Sequence, residues 1–264
     1  MRKLAVITGA SVGIGFELAR VFAKNGFDLI INSSSERLRE SADELRRLGA
    51  EVTEVVADLS TREGVDQLYA RMRASERAID SVVLNAGVGV GGAFTDTSFE
   101  EELTVMNLNV VNTVYLAKLV LKDMVARNDG RILITSSIAG EMPGPYYAVY
   151  AASKAFLQSF SEALHYELKD LGHRVTVTAL QPGATETEFF ERADMLDTKV
   201  GESKKADPAK VAQDGFDALM AGKDHVVSGL LNKIQVAGGK LMSEQQGAAN
   251  HGAQAKPNSL DSRH

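Results

Sequence analysis

Residues 4–7, Leu-Ala-Val-Ile, form an unbroken apolar run, too short for a helix and without the polar alternation of a half-exposed strand. A run of this kind is a strand buried on both faces, as in the middle of a parallel sheet. Directly after it come Thr8-Gly9-Ala10-Ser11-Val12-Gly13-Ile14-Gly15, and then apolar residues at helical spacing: Phe16, Leu18, Ala19, Phe22 and Ala23. A strand, a glycine-rich turn and a helix constrain everything downstream. Parallel strands need crossovers, and crossovers are right-handed, so helices come to cover both faces. The turn also aims backbone N–H groups and a helix N-terminus past the strand end, a place suited to a diphosphate. Glycines let the backbone approach both the ligand and the neighbouring strand. The plainer reading is a left-handed turn of small residues. Three glycines in eight residues, in this position, favour the phosphate.

The rest of the chain repeats the alternation. Short segments rich in β-branched and apolar residues at 29–31, 52–56, 81–84, 132–134, 175–180 and 225–227 read as six further strands. Helical segments lie between them. Ser34 or Ser35 can cap one that runs to Leu48, with Gly49 beyond its end. Ser60-Thr61-Arg62-Glu63 and Ser98-Phe99-Glu100-Glu101 have capping-box form. Asp207-Pro208 opens a helix with proline at its first position. Strands alternating with helices predict an α/β fold: a doubly wound parallel sheet of about seven strands with helices on both faces. Ligands of such sheets collect at the carboxyl ends of the strands. The unusual residues lie there: the glycine turn after the first strand, Asp58 after the third, Asn85-Ala86-Gly87 after the fourth, Ser137 after the fifth and Pro182-Gly183 after the sixth. Residues 1–242 read as one dinucleotide-binding and catalytic domain. Residues 243–264, rich in Gln, Asn, Ala, Gly and Ser without hydrophobic periodicity, read as a disordered tail.

One segment carries chemistry of its own. After the strand at 132–134 come Gly140, Pro143, Gly144 and Pro145, which sustain only a loop. No helix breaker follows until Gly172, so Tyr150 and Lys154 fall one turn apart on the same helix face. A free phenol titrates near pH ~10. An ammonium one turn away favours the phenolate. A hydroxyl at the strand end, Ser137, can then hold a substrate oxygen beside the phenol. A Tyr-x-x-x-Lys pair alone is most often a solvated helix face, so the rest of the chain has to support it.

Composition removes several classes. With no cysteine there is no disulfide, thiolate catalysis or cysteine metal site. The five histidines show no ligand spacing, so no metal is expected. A net charge of −6 without a dense basic block argues against nucleic acid. No uninterrupted apolar run approaches the ~18 residues of a membrane span, and the N-terminus lacks a signal h-region, so a cytoplasmic protein is expected.

Taken in order, Thr8-Gly9-x-x-x-Gly13-x-Gly15, Asn85-Ala86-Gly87, Ser137, Tyr150-x-x-x-Lys154 and Pro182-Gly183-x-x-x-Thr187 resemble the motifs of the short-chain dehydrogenase/reductase family, closely over residues 3–187 and loosely beyond. The resemblance implies a Rossmann-like sheet and an oxidoreductase transferring a hydride between NAD(P)(H) and a ketone or secondary alcohol. It gives Tyr150 the acid–base role, Ser137 the substrate oxygen, and Lys154 the tyrosine pKa and the nicotinamide ribose. Asn109 best matches the asparagine that supports a proton-relay water; Asn107 is a weaker match. The turn residues Gly9, Ser11, Gly13, Ile14 and Gly15, with Asp58 and Leu59 near the adenine and Asn85, Ala86 and Gly87 near the adenosine ribose, would bind cofactor. Pro182, Gly183, Thr185 and Thr187 would hold the carboxamide end. A homodimer or homotetramer through the Asn109 and Tyr150 helices is implied in the same way.

The second strand ends Ile31-Asn32-Ser33-Ser34-Ser35, with no acid until Glu36. NAD sites usually place a carboxylate there for the ribose hydroxyls. Asn32, Ser33 and the serine hydroxyls after it can hydrogen-bond a 2′-phosphate there, within reach of Arg37 or Arg39, so NADP(H) is favoured and NAD(H) possible. Met142, Tyr146, Tyr147, Phe189, Phe190, Met195 and Leu196 are candidates for an apolar pocket, and residues 183–205 for a lid over a small carbonyl or alcohol substrate. A non-catalytic dinucleotide-binding scaffold would show a broken Asn109, Ser137, Tyr150 and Lys154 set; here the set is complete.

Overall fold

The structure, a computed structural model, describes residues 2–239 and 241–261. β1 (Lys3–Thr8) leads into α1 (Gly13–Lys24), β2 (Phe27–Ser33) into α2 (Leu38–Arg47), and β3 (Val52–Val56) into α3 (Arg62–Arg73). After β4 (Ile79–Leu84) come α4 (Phe99–Met106), a π-helical turn (Asn107–Val111) and α5 (Asn112–Arg127), continuous as one long helix. β5 (Arg131–Thr135) and a short 3-10 turn (Ile138–Gly140) precede α6 (Ala148–Asp170). β6 (Thr176–Gln181) is followed by α7 (Phe189–Arg192), α8 (Lys199–Glu202) and α9 (Pro208–Met220), and then β7 (His225–Val227). α10 (Leu230–Gly239), α11 (Glu244–Ala255) and α12 (Asn258–Asp261) end the described chain.

The seven strands form one sheet in the order β3-β2-β1-β4-β5-β6-β7, and every neighbouring pair is parallel. The chain winds outward from β1 to one edge, returns to β4, and winds out to the other. The switch point is thus between β1 and β4. The unbroken apolar runs follow from burial on both faces. Ala5, Ile7, Leu29 and Ile31 enter one core with Leu18 and Phe22 of α1 and Phe216 of α9. Leu4, Val6, Ile30, Val82 and Ile132 enter the other with Leu68 of α3, Leu116 of α5 and Leu157 of α6. Successive strand residues therefore serve opposite cores, as the two-residue period requires.

Side chains lock the switch point. Thr8 Oγ1 donates to Val83 O at 3.1 Å and accepts from the N–H groups of Asn85 and Ala86 at 2.9 and 3.0 Å. Asn85 Nδ2 donates back to Thr8 O at 3.1 Å, and its Oδ1 accepts from Thr135 Oγ1 at 3.2 Å. The ends of β1, β4 and β5 are thereby tied at the place where a ligand would lie.

Three of the expected caps take another form. Neither Ser34 nor Ser35 is the N-cap of α2, which is Arg37 without a side-chain bond. Thr61, not Ser60, is the N-cap of α3, accepting from Gly64 N at 3.1 Å, because Ser60 is held by Asp58 in a local turn. Ser98 is the N-cap of α4 without a side-chain bond; Thr97 Oγ1 instead donates to Glu102 at 3.0 Å. The larger difference is at the C-terminus. Residues 243–261 were expected to be disordered, yet Glu244–Ala255 is a helix opened by a reciprocal capping box between Ser243 and Gln246. It buries His251 and Ala255 against the body of the protein. Residues 262–264 of that expected tail lie outside the described residues. Among the described residues, Phe99–Arg127 is long and apolar enough by length and composition to cross a membrane. Val105, Leu116, Ala117, Val120 and Met124 of this stretch are buried in the protein, which is what a core-facing helix requires.

Candidate active site

A cleft of about 320 Å³ opens across the carboxyl ends of the strands. Its first wall is the turn between β1 and α1. Gly9 and Gly13 adopt φ of +67° and +60°. A Cβ on Gly15 would stand 2.1 Å from Gly9 O, and one on Gly13 2.9 Å from Thr187 Cγ2. Side chains at these positions would fill the cradle or break it. The N-cap of α1 is Val12, which offers no side-chain acceptor, so the first amides of the helix face the cleft without a capping side chain. Such an end suits an anion.

The expected cofactor residues converge here. Gly9, Ser11, Gly13, Ile14, Gly15, Asn32, Ser33, Asp58, Leu59, Asn85, Ala86, Gly87, Tyr150, Lys154, Pro182, Gly183, Thr185 and Thr187 all line the cleft. Their side chains are committed to different degrees. Asn32 is buried, and its amide N–H groups go to Val55 O and Ala57 O at 2.9 and 3.0 Å. Asn32 therefore pins β2 to β3 and has no donor left for a phosphate, contrary to the sequence reading. Ser33 Oγ lies 2.9 Å from Ser11 Oγ, which joins the two turns. Both Asp58 carboxylate oxygens accept from Ser60.

The chemistry-bearing side chains meet at the far end. The 3-10 turn after β5 begins at Ser137, whose Oγ accepts from Ala139 N at 3.1 Å and lies 3.3 Å from Pro182 O. Ser137 also stands beside the Tyr150 phenol in the cleft wall. Burial pushes the phenol up from its ordinary value, and the Ser137 hydroxyl partly opposes that. Lys154 is buried; its Nζ donates to Thr135 O at 2.9 Å and lies 5.6 Å from the Tyr150 ring centre. Burial brings its ammonium down to about 8. The sequence reading expected the lysine to dominate the tyrosine, but in this geometry desolvation of the phenol is the larger effect.

Asn109 stands behind this wall and does not line it. Its Oδ1 accepts from Val88 N at 3.0 Å, and its Nδ2 donates to Val88 O at 2.9 Å and to Ser153 Oγ at 3.0 Å. With the amide fully used, Asn109 clamps the loop after β4 to α6. It sits in the π-helical turn, a distortion that often marks functional helices.

Of the expected pocket residues, Tyr147, Phe189, Phe190 and Met195 line the cleft. Met142, Tyr146 and Leu196 do not; Leu196 is exposed, and Met142 lies under Gly247 of α11. The Phe189 and Tyr150 rings are 5.0 Å apart. Sequence reasoning missed Glu188, Arg192, Gln235, His251, Gln254 and Ala255, which also line the cleft. Glu188 accepts from Arg37 through both oxygens at 2.7 and 2.6 Å and from Arg192 at 2.6 Å, which holds its carboxyl down at about 2. This pairing joins the start of α2 to α7. A signal for the C-terminal residues was present in Ser243-x-x-Gln246, the capping box that opens α11.

Residues 3–196 match the family model for short chain dehydrogenases. The chain belongs to the short-chain dehydrogenase family. It is 37% identical over 218 residues to the oxidoreductase UcpA of Salmonella typhimurium, covering 82% of this chain and 80% of that protein. A short-chain dehydrogenase from Sphingobium yanoikuyae, solved in complex with NADPH, superposes with a TM-score of 0.79 at 28% identity, over 92% of this chain and 96% of the other. A short-chain dehydrogenase/reductase from Burkholderia phymatum, solved with NAD, superposes with a TM-score of 0.81 at 26% identity, over 89% and 92%. The family's Rossmann-like sheet is the sheet described above.

Proposed function

We propose that the protein is an oxidoreductase that transfers a hydride between a nicotinamide dinucleotide and a ketone or secondary alcohol, with Tyr150 as proton donor and acceptor. The observation that carries this is the Ser137 hydroxyl beside the Tyr150 phenol, one helical turn from Lys154, in the same cleft as the glycine cradle. When bound, the dinucleotide supplies or takes the hydride. The cradle of Gly9, Gly13 and Gly15, with Ser11 and Ile14, would hold its diphosphate. Asp58, Leu59 and residues 85–87 would border the adenosine, and Pro182, Gly183, Thr185 and Thr187 the carboxamide.

In reduction, Ser137 donates to the carbonyl oxygen and Tyr150 gives up its proton as charge develops there. A phenol raised by burial keeps that proton at neutral pH, as an acid must. Lys154, one turn away, then stabilises the phenolate left behind. Asn109 acts at one remove, holding Val88 and thus the loop that faces Tyr150.

NADP(H) is the favoured cofactor by a small margin, supported by the absence of a carboxylate at the end of β2. The substrate is a small carbonyl or alcohol compound bordered by Tyr147, Phe189, Phe190 and Met195. Exposed Val111, Phe156 and Tyr166 on the α5 and α6 side support assembly into a homodimer or homotetramer. The test is turnover of a ketone panel with NADPH and with NADH, by wild type and Tyr150→Phe. Oxidation of either cofactor by wild type alone supports the reading. Cofactor binding without turnover of any ketone would leave a scaffold on the same fold.

A further inference from the structure

The end of the cleft beyond Tyr150 is closed by the chain's own C-terminal helix. Two glycines set its approach: a Cβ on Gly247 would stand 2.8 Å from Met142 Sδ, and one on Gly252 3.5 Å from Pro145. Past α11, Pro257 bridges Thr198, and Asn258 N donates to Asp197 O at 2.9 Å. The chain end is thereby tied to the segment between α7 and α8. This seating puts His251 and Ala255 into the wall that also holds Tyr147 and Tyr150.

His251 is 4% exposed. Its ring lies beside the Pro143 carbonyl, while Nδ1 is buried with no hydrogen-bond partner. A carbonyl only accepts, so the neutral ring is assigned its proton on Nε2, towards Pro143, which makes the unpartnered Nδ1 an acceptor. The Tyr147 ring centre lies 6.3 Å from that of His251 and 6.3 Å from that of Tyr150, so Tyr147 stands between the two. Phe189, Phe190, Met195 and Ala255 give the wall a largely apolar face, to which Gln235 and Gln254 add two amides. Buried acceptors in folded proteins are nearly always paired, and an exception beside reactive groups calls for a reason. Ligand pockets are mostly apolar, with a few placed polar groups that fix orientation.

We propose that α11 is part of the substrate pocket, and that His251 Nδ1 accepts a hydrogen bond from a hydroxyl on the substrate, remote from the carbon that is oxidised or reduced. The inference rests on the oxidoreductase reading above only for which carbon reacts. The ligand class is an otherwise apolar ketone or alcohol with a second hydroxyl. An ether or carboxylate oxygen brings no proton, so an imidazole acceptor rejects both. Nδ1 is covered in the free protein, so engagement moves α11 outward by about the width of a hydroxyl. The neighbours of α11 there include the side chains of Met142, Pro145, Tyr146 and Tyr147, and α8.

The test compares benzylacetone with its para-hydroxyphenyl counterpart, by calorimetry on protein saturated with oxidised cofactor, where no turnover occurs. Wild type is expected to bind the hydroxylated ketone at least about tenfold tighter, since a site built for a hydroxyl discriminates against its absence. His251→Phe keeps a ring against Tyr147 without the acceptor and should bring the ratio near one. His251→Gln restores an acceptor and should recover most of it. Should either variant fail to fold, the His251 imidazole nitrogen resonances of labelled wild type decide. Movement of Nδ1 with the hydroxylated ketone alone supports the proposal. Equal binding by wild type, an unchanged ratio in His251→Phe, or an unmoved Nδ1 overturns it. Turnover measured in parallel separates the two readings. Discrimination without turnover sinks the oxidoreductase reading and keeps this one, and turnover without discrimination does the reverse.

Discussion

Lys154 Nζ donates to the main-chain carbonyl of Thr135 at 2.9 Å, so the ammonium is fastened to the end of β5 and not to the tyrosine it accompanies. Its distance to the Tyr150 ring, 5.6 Å, leaves room for it to act by charge on a phenolate once one forms. The strand end therefore positions both Ser137 and Lys154, and α6 brings Tyr150 to them.

Tyr150→Phe keeps the ring against Phe189 and removes the proton. It should lower kcat by at least ~10²-fold, the low end for general acid catalysis. Cofactor affinity, followed by fluorescence titration, should stay within a small factor. Turnover near wild type in this variant would remove Tyr150 from the chemistry.

Burial holds Lys154 at about 8 against an ordinary 10.5. Between these pH values the unfolded chain binds a proton that the folded protein does not. Where the unfolded state binds more protons, stability rises with pH. The penalty for charging this amine is fully present below pH 8 and fades towards 10.5. Melting curves of cofactor-free wild type and Lys154→Met across that window should show the difference in Tm shifting in favour of wild type as pH rises. A constant difference would mean that the amine titrates normally.

Gly15→Ala is expected to damage both fold and cradle. Its Cβ would meet Gly9 O at 2.1 Å and Asn85 Nδ2 at 2.5 Å. Overpacking against backbone costs about 1–3 kcal/mol. The displaced turn should also weaken dinucleotide binding by about tenfold or more, an effect of about 1.4 kcal/mol. Denaturant unfolding and cofactor titration read the two effects separately.

Much of this arrangement was legible because its residues sit at strand ends. The segments 52–56 and 225–227 are β3 and β7 as observed, and Asp207-Pro208 opens α9 with Asp207 capping Ala209 N at 2.8 Å. Less legible was how each polar side chain is spent. Asn32 and Asn109 look like ligand-facing amides in the sequence, but β3 and Val88 take their hydrogen bonds. Those partners are fixed only by the tertiary fold. α11 was missed for another reason. Small residues such as Gly247 and Gly252 carry no hydrophobic periodicity, yet they let the helix sit close to Met142 and Pro145.

A chain ending at residue 242 tests that seating. Without α11, the cluster of Phe190, Ala193 and Met195 loses Ala255, and Tyr147 loses the imidazole beside it. Tm should fall by at least ~2 °C, the shift expected for about 1 kcal/mol in a protein of this size. KM for ketones should rise. Unchanged Tm and KM would show that α11 adds nothing to the pocket.

Cofactor choice turns on Arg37. It is the first cation after β2, and Glu188 of the segment leading into α7 holds its guanidinium through two oxygens. Arg192 shares that carboxylate. A 2′-phosphate at the end of β2 would compete with Glu188 for the same donors. Ser33 Oγ is available on that side, beside Ser11 Oγ and the Ser35 N–H it accepts from, while the Asn32 N–H groups are not. Wild type should therefore prefer NADPH by only about tenfold in kcat/KM, or about 1.4 kcal/mol. Glu188→Gln keeps the shape and removes the charge that competes for Arg37. It should raise the NADPH preference several-fold further, because a released guanidinium pairs bidentately with phosphate. Arg37→Ala in the same background should cancel the gain, since the two changes act through one pair. The measurement is kcat/KM for NADPH and NADH with one ketone at fixed ionic strength. If Glu188→Gln leaves the ratio where it was, Arg37 serves the lid alone, and the 2′-phosphate is read by the serines of the turn.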